Sequence, residues 1–191
     1  MANSHRYNQL LKRVNKIEAS YIPTIRQSGN YTNKEQDDIR AYVLLTHAEI
    51  ESYFEEVAEE KVKKAFRNWQ ATRQKSNVLL ALMAFNGNDY RENEIEIRIN
   101  KALTSYIHSL RNNHGIKEAN ILNILLPAGF EYTDIDSTWL GTINSFGSNR
   151  GLLAHSAARV QQPLDPVILR NMVTQVVSEI ANIDEKLKQM K

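Results

Sequence analysis

Apolar residues along this chain recur at steps of three and four, the spacing that gathers side chains on one face of a helix. Leu10, Leu11, Val14, Ile17 and Tyr21 form the first such stripe and predict a helix over 4–22, ended by Pro23. After a polar loop through Gly29, Thr32 and Glu35 have the spacing of a capping box, in which each side chain satisfies a free amide at a helix start. The helix they open extends over 34–72 with no glycine or proline inside it, and Ile39, Val43, Ile50, Phe54, Val57, Val62 and Phe66 mark its inward face. Glu55, Glu56, Glu59 and Glu60, mixed with Lys61, Lys63 and Lys64, read as its solvated face.

Ser76 caps a short helix over 77–85 whose all-round apolar character implies burial. Asn86-Gly87-Asn88-Asp89 is a turn. Residues 92–113 carry Ile95, Ile99, Leu103, Ile107 and Leu110; the local alternation at Glu94–Ile99 resembles a strand, but the helical stepping outlasts it by several turns. Lys117–Leu126 is a short helix closed by Pro127, and Asp134 or Asp136 caps the next, through Trp139, Leu140, Ile143 and Phe146. Gly147 and Ser148 then break the chain, so that Arg150 and His155 fall in the first turns of a new helix. Asp165 before Pro166 starts the last one, over 166–189. The pattern is all-α, a single domain over 1–191.

Composition narrows the chemistry. With no cysteine, disulfides, thiolate metal sites and a cysteine nucleophile are excluded, and no histidine pair has the spacing of a zinc site with a third acidic ligand. A net charge of +2 is not the footprint of a protein that coats duplex DNA, so contact with nucleic acid should be confined to a cleft. The start of the chain lacks the apolar core of a signal peptide and no apolar run is long enough to span a bilayer, which gives a cytoplasmic expectation.

The stretch Ser148-Asn149-Arg150-Gly151-Leu152-Leu153-Ala154-His155-Ser156 concentrates the reactive candidates. Arginine offers a planar, permanently charged fork to a phosphate, and histidine trades a proton near neutrality. Together they can grip a phosphodiester and move the 2′-hydroxyl proton that starts RNA cleavage. The spacing alone is weak: Arg40 and His47 form a similar pair elsewhere, and positions five apart on a helix diverge by about 140°. A surface arginine and a packed histidine are the plain alternative.

Three stretches, in order, resemble the HEPN-domain family, and within it the RiboL-PSP-HEPN subgroup, with MAE-type HEPN proteins next. They are Ile39–Val57 with Ala48-Glu49-Ile50-Glu51-Ser52-Tyr53-Phe54-Glu55, then Asn113-His114-Gly115-Ile116 followed by Asn120–Leu126 and Gly129-Phe130, then Arg150–Ser156 ahead of one last helix. The resemblance covers about 35–185. It implies an antiparallel helical bundle with additional short helices, and an endoribonuclease needing no metal or other cofactor. In such proteins an Arg-x(4–6)-His motif from each of two subunits forms one cleft, leaving 2′,3′-cyclic phosphate and 5′-hydroxyl ends. Gly151 departs from the polar residue that follows the arginine in many active members, although the RiboL-PSP-like subgroup tolerates it.

By that resemblance Arg150 holds the scissile phosphate and His155 serves as base or acid, in a homodimer whose substrate is RNA. Glu51 is a candidate to orient either of them, or else a surface glutamate paired with a neighbouring cation. Asn149 and Ser156, flanking the pair, and Arg159, one turn after His155, are candidates to hold the pair or the RNA backbone. His108, Arg111 and His114 recur at steps of three as a substrate track or an ordinary helix end. Trp69 and Trp139 read as core anchors. The setting implied is bacterial defence or a toxin system with an antitoxin or defence-protein partner. The competing readings are a non-catalytic HEPN interaction module and a toxin partner modified by nucleotidyl transfer.

Overall fold

The computed structural model describes residues 3–87, 91, 94–155 and 162–190, and of residues 152, 154 and 155 the backbone only. These fold into seven α-helices, with no strand among the described residues: α1 (His5–Tyr21), α2 (Asn33–Thr72), α3 (Asn77–Asn86), α4 (Ile95–Arg111), α5 (Glu118–Leu125), α6 (Ser137–His155) and α7 (Pro166–Gln189). A 3-10 turn, Tyr132–Asp134, precedes α6. The all-α expectation holds, and so does the rejection of a strand at 94–99.

The 40-residue α2 is the spine, about 60 Å long at the ordinary helical rise, and every other helix packs on it. Its start is the capping box expected: the Thr32 hydroxyl accepts from the Glu35 amide, and Glu35 accepts from the Thr32 amide at 2.8 Å. Its end needs no glycine, because Arg73 adopts the left-handed conformation at φ 58° and lays its guanidinium 4.4 Å from the Trp69 ring centre.

Cross-helix partners fix the directions of the bundle. Arg6 pairs with Glu56 and Arg13 with Glu49, so α1 runs antiparallel to α2. Tyr7 donates to the Val177 carbonyl while Arg170 meets Glu18, so α1 is antiparallel to α7 as well. The ring contacts Phe54 with Trp139 and His47 with Phe146 run α6 antiparallel to α2. Glu55 with Asn113 and Arg73 with Glu96 do the same for α4. Exposed ion pairs add little stability, and their use is as markers of register. The bundle is held by the apolar interior they surround, centred on Ile39, Tyr42, Ile50, Phe54, Tyr106, Ile143 and Phe146.

Four sequence expectations are corrected. The chain does not break at Gly147: α6 continues through it to His155. A Cβ at Gly147 would lie 3.1 Å from the Lys117 backbone nitrogen, so this glycine allows two segments to approach rather than ending a helix. The short α3 is not buried all round. Val78, Leu79 and Leu82 are, but Leu80 and Phe85 are more than half exposed. Lys61 is not simply solvated, since its ammonium donates to the carbonyls of Leu187 at 2.5 Å and Met190 at 2.6 Å, where α7 ends with free acceptors. His108, Arg111 and His114 do not share a helix face, because α4 stops at Arg111 and leaves His114 in the connection to α5.

Both tryptophans are buried, and the Trp139 indole donates to the Val176 carbonyl at 3.0 Å, in keeping with anchoring roles. Asp136, rather than Asp134, accepts from an amide of the first turn of α6, at Trp139. The Gln36 amide pairs with both backbone groups of Leu164, at 2.8 and 3.1 Å, and pins the approach to α7 against the start of α2.

Candidate functional site

The apolar stripe of α2 contains a polar interruption. His47 stands four residues after Val43 and three before Ile50, so helical geometry turns it inward. It is 1% exposed, and its ring centre lies 6.2 Å from that of Phe146 on α6. One turn further along α2, Glu51 presents an oxygen 3.6 Å from His47 Nδ1, too long for a hydrogen bond. Nδ1 finds no hydrogen-bond partner among the described residues. The contact is therefore between a carboxylate and a neutral imidazole. Burial first, and then the positive charge of Arg150, lower the His47 pKa to about 4.

Arg150 is thus near enough for its charge to act on His47. Arg150 is partly exposed on α6, one turn beyond the Phe146 that packs on His47. Its helix is held there by the close approach at Gly147 to the backbone of Ile116 and Lys117. The same connection supplies the third wall. The Gly115 amide donates to the other Glu51 oxygen, and a Cβ at Gly115 would sit 3.9 Å from His47 Nε2. Gly115 has φ +123°, a conformation that side chains disfavour, so glycine is required for this turn. Asn113 fastens it from behind, donating to the Gly115 carbonyl at 2.9 Å and accepting from Asn120 at the same distance. Glu55, partly desolvated one turn after Glu51, has its pKa raised chiefly by burial, and the charge of His114 opposes that rise.

Of the residues singled out from the sequence, the structure brings together Arg150, Glu51 and His114 around the α4–α5 connection, with Asn149 half-buried beside Arg150. His155 is the last residue of α6, and its backbone lies about 7.5 Å along the axis from that of Arg150. Ser156 and Arg159 lie outside the described residues. His47 was visible in the sequence only as a competitor to the Arg150–His155 spacing, in a pair with Arg40. In the fold Arg40 turns to Asp37 at 2.8 Å and His47 faces Arg150's helix instead. The available signal was a histidine in an apolar stripe with a glutamate four residues on.

His47 makes stability depend on pH. Its folded pKa is depressed, so the unfolded chain takes up a proton first as pH falls. The stability present above about pH 6.5 is lost through the window down to about pH 4, by up to about 3 kcal/mol. Urea unfolding at pH 7 and pH 4.5 measures this loss, and His47→Met should remove most of the part that this residue contributes. An equal acid loss in the variant would show that His47 plays no part.

Among the described residues no group of three or more histidine, aspartate and glutamate side chains is placed to hold a metal ion, and no helix is long and apolar enough to cross a membrane. A family model described as RiboL-PSP-HEPN matches residues 8–189, nearly the whole chain. No curated protein and no solved structure matches it.

Proposed function

The chain belongs to the RiboL-PSP-HEPN family, and from that premise we propose that it is a metal-independent endoribonuclease acting through Arg150 and His155. HEPN domains are often ribonucleases, so membership supports an RNA-related role. The observation that carries the finer reading is that Arg150 and His155 close one uninterrupted helix, α6, with the charge of Arg150 bearing on the buried His47 beside Glu51. An arginine at this end of α6 supplies the fixed positive charge that gripping a phosphate and offsetting the charge built up in the transition state require.

Two positions five apart on a helix diverge by about 140°, so one copy of the motif is not self-contained. A homodimer related by a two-fold axis supplies a second copy of the same surface and with it the missing half of a cleft. In this reading the arginines hold the scissile phosphate. His155 takes the proton of the ribose 2′-hydroxyl or gives one to the leaving 5′-oxygen. The 2′-oxygen attacks phosphorus, the P–O5′ bond breaks, and the ends left are a 2′,3′-cyclic phosphate and a 5′-hydroxyl. Asn149 and Glu51 are positioning residues, Glu51 by binding the α4–α5 turn to α2, and Ser156, Arg159 and His114 contact the RNA backbone. The setting we propose is bacterial defence or a toxin system, in the cytoplasm, restrained by an antitoxin or another protein of that system.

The deciding experiment is incubation of the purified full-length chain with single-stranded RNA in EDTA, with end-group analysis of the products. Cyclic-phosphate ends support the reading. RNA left intact across varied sequences would favour a non-catalytic interaction module on the same bundle.

A further inference from the structure

Behind the Gly115 turn, the ends of α3 and α4 and the face of α5 enclose a cleft of about 330 Å³, within the range of small-ligand sites, roughly 300–1,000 Å³. Its lining is unusual in kind. Asn86, Asn112, Asn113, Asn120 and Asn123 contribute five side-chain amides, Phe85 contributes an aromatic face, and among the described residues no lysine, arginine, histidine, aspartate or glutamate takes part. Asn86 Nδ2 is buried with no hydrogen-bond partner among the described residues. Phe85 is 53% exposed, although a phenylalanine at the end of an apolar helix would ordinarily be drawn into the core. Two of the five amides, Asn113 and Asn120, are tied to each other and reach the Gly115 turn that closes on Glu51 and His47.

Amides carry both donors and acceptors on one planar group and match the edge of a base, while an aromatic face offers stacking. A phosphate would call for cations, and the described lining holds none. A guanine or cytosine edge is most often met by arginine, lysine or a carboxylate, also absent here, whereas asparagine reads the adjacent donor and acceptor of adenine. We infer that this cleft binds one unstacked adenine base of a single-stranded RNA, between Phe85 and the amides of Asn86 and Asn123. The ligand class rests on the ribonuclease reading above. The shared Asn113–Gly115 wall sets the bound base beside the region of Arg150, so the cleft fixes which nucleotide lies near the scissile bond.

The test uses the full chain, labelled with nitrogen-15, and the four nucleoside 5′-monophosphates together with inorganic phosphate. AMP is expected to shift the side-chain amide signals of Asn86 and Asn123 ahead of GMP, CMP and UMP. Asn123→Ala and Phe85→Ala, both at exposed positions, are expected to weaken AMP at least fivefold with the remaining spectrum unchanged. The inference is overturned if no nucleotide moves these amides, if all four move them equally, or if inorganic phosphate alone does so. Its failure is separable from that of the nuclease reading. AMP bound in the cleft of a chain that cuts no RNA would leave the base site standing, and RNA cut without any shift at these amides would remove the base site alone.

Discussion

Arg150→Ala and His155→Ala are each expected to slow RNA cleavage by about 100-fold or more, the usual scale for removing a proton-transfer group or a transition-state charge partner. Alanine is the best helix former, so neither change should melt the end of α6, and the far-ultraviolet circular dichroism should match the parent. The two losses differ in kind. Without Arg150 the substrate phosphate loses its cation, so weaker binding accompanies the slower step and added salt matters less. Without His155 binding persists and the pH dependence near neutrality flattens. Wild-type activity should survive EDTA, and a single 2′-deoxy nucleotide at the scissile position should block the cut. If the site is assembled from two chains, mixing the two inactive variants tests it directly, since exchanged subunits bring an intact arginine and an intact histidine into one cleft. Full activity in either single variant would end this account of the motif.

Asp184→Ala is expected to cost about 3–5 kcal/mol of stability, the range for breaking a buried charged network from one side. Asp184 is 2% exposed on α7, where its carboxylate accepts from the Ser4 amide at 2.8 Å, the Ser4 hydroxyl at 2.5 Å and the Tyr53 hydroxyl at 2.9 Å. It therefore joins α7, the N-cap of α1 and the spine α2 at one point. Burial, then the charge of Asp184, push the Tyr53 hydroxyl pKa upward, so tyrosine stays a donor. Truncating the acid strands that buried hydroxyl and frees the Ser4 cap from α7 together, whereas Ser4→Ala removes mainly the cap, about 1 kcal/mol. Urea midpoints for the two variants should fall in that order. Equal midpoints would show that the Tyr53 contact carries nothing.

The bundle was legible because each helix writes its buried face at steps of three and four, and because Thr32, Ser76 and Asp165 are caps whose chemistry needs only near neighbours. Glycine was misread where its reason was not local. Gly147 looks like a helix end in sequence, and the Lys117 backbone that demands it comes from 30 residues earlier. The exposure of Phe85 and the reach of Lys61 to the end of α7 depend on partners that periodicity does not contain. Arg150 and Glu51 were found through a motif and a resemblance. The inward His47 escaped because its signal, a histidine in an apolar stripe four residues before Glu51, gains meaning only once α6 and the Gly115 turn pack on it.

The Asp184 network also has a directional consequence. Tyr53, which donates to the Asp184 carboxylate that also holds Ser4, and Glu51, which meets Gly115, stand two residues apart and hence about 200° around α2. Residues 4 and 184 are thus gathered on the far side of the spine from the Arg150 region. An affinity tag or a fluorophore attached ahead of Ser4 therefore starts from that far side, so such tethered forms of the protein should keep the Arg150 region open to solution.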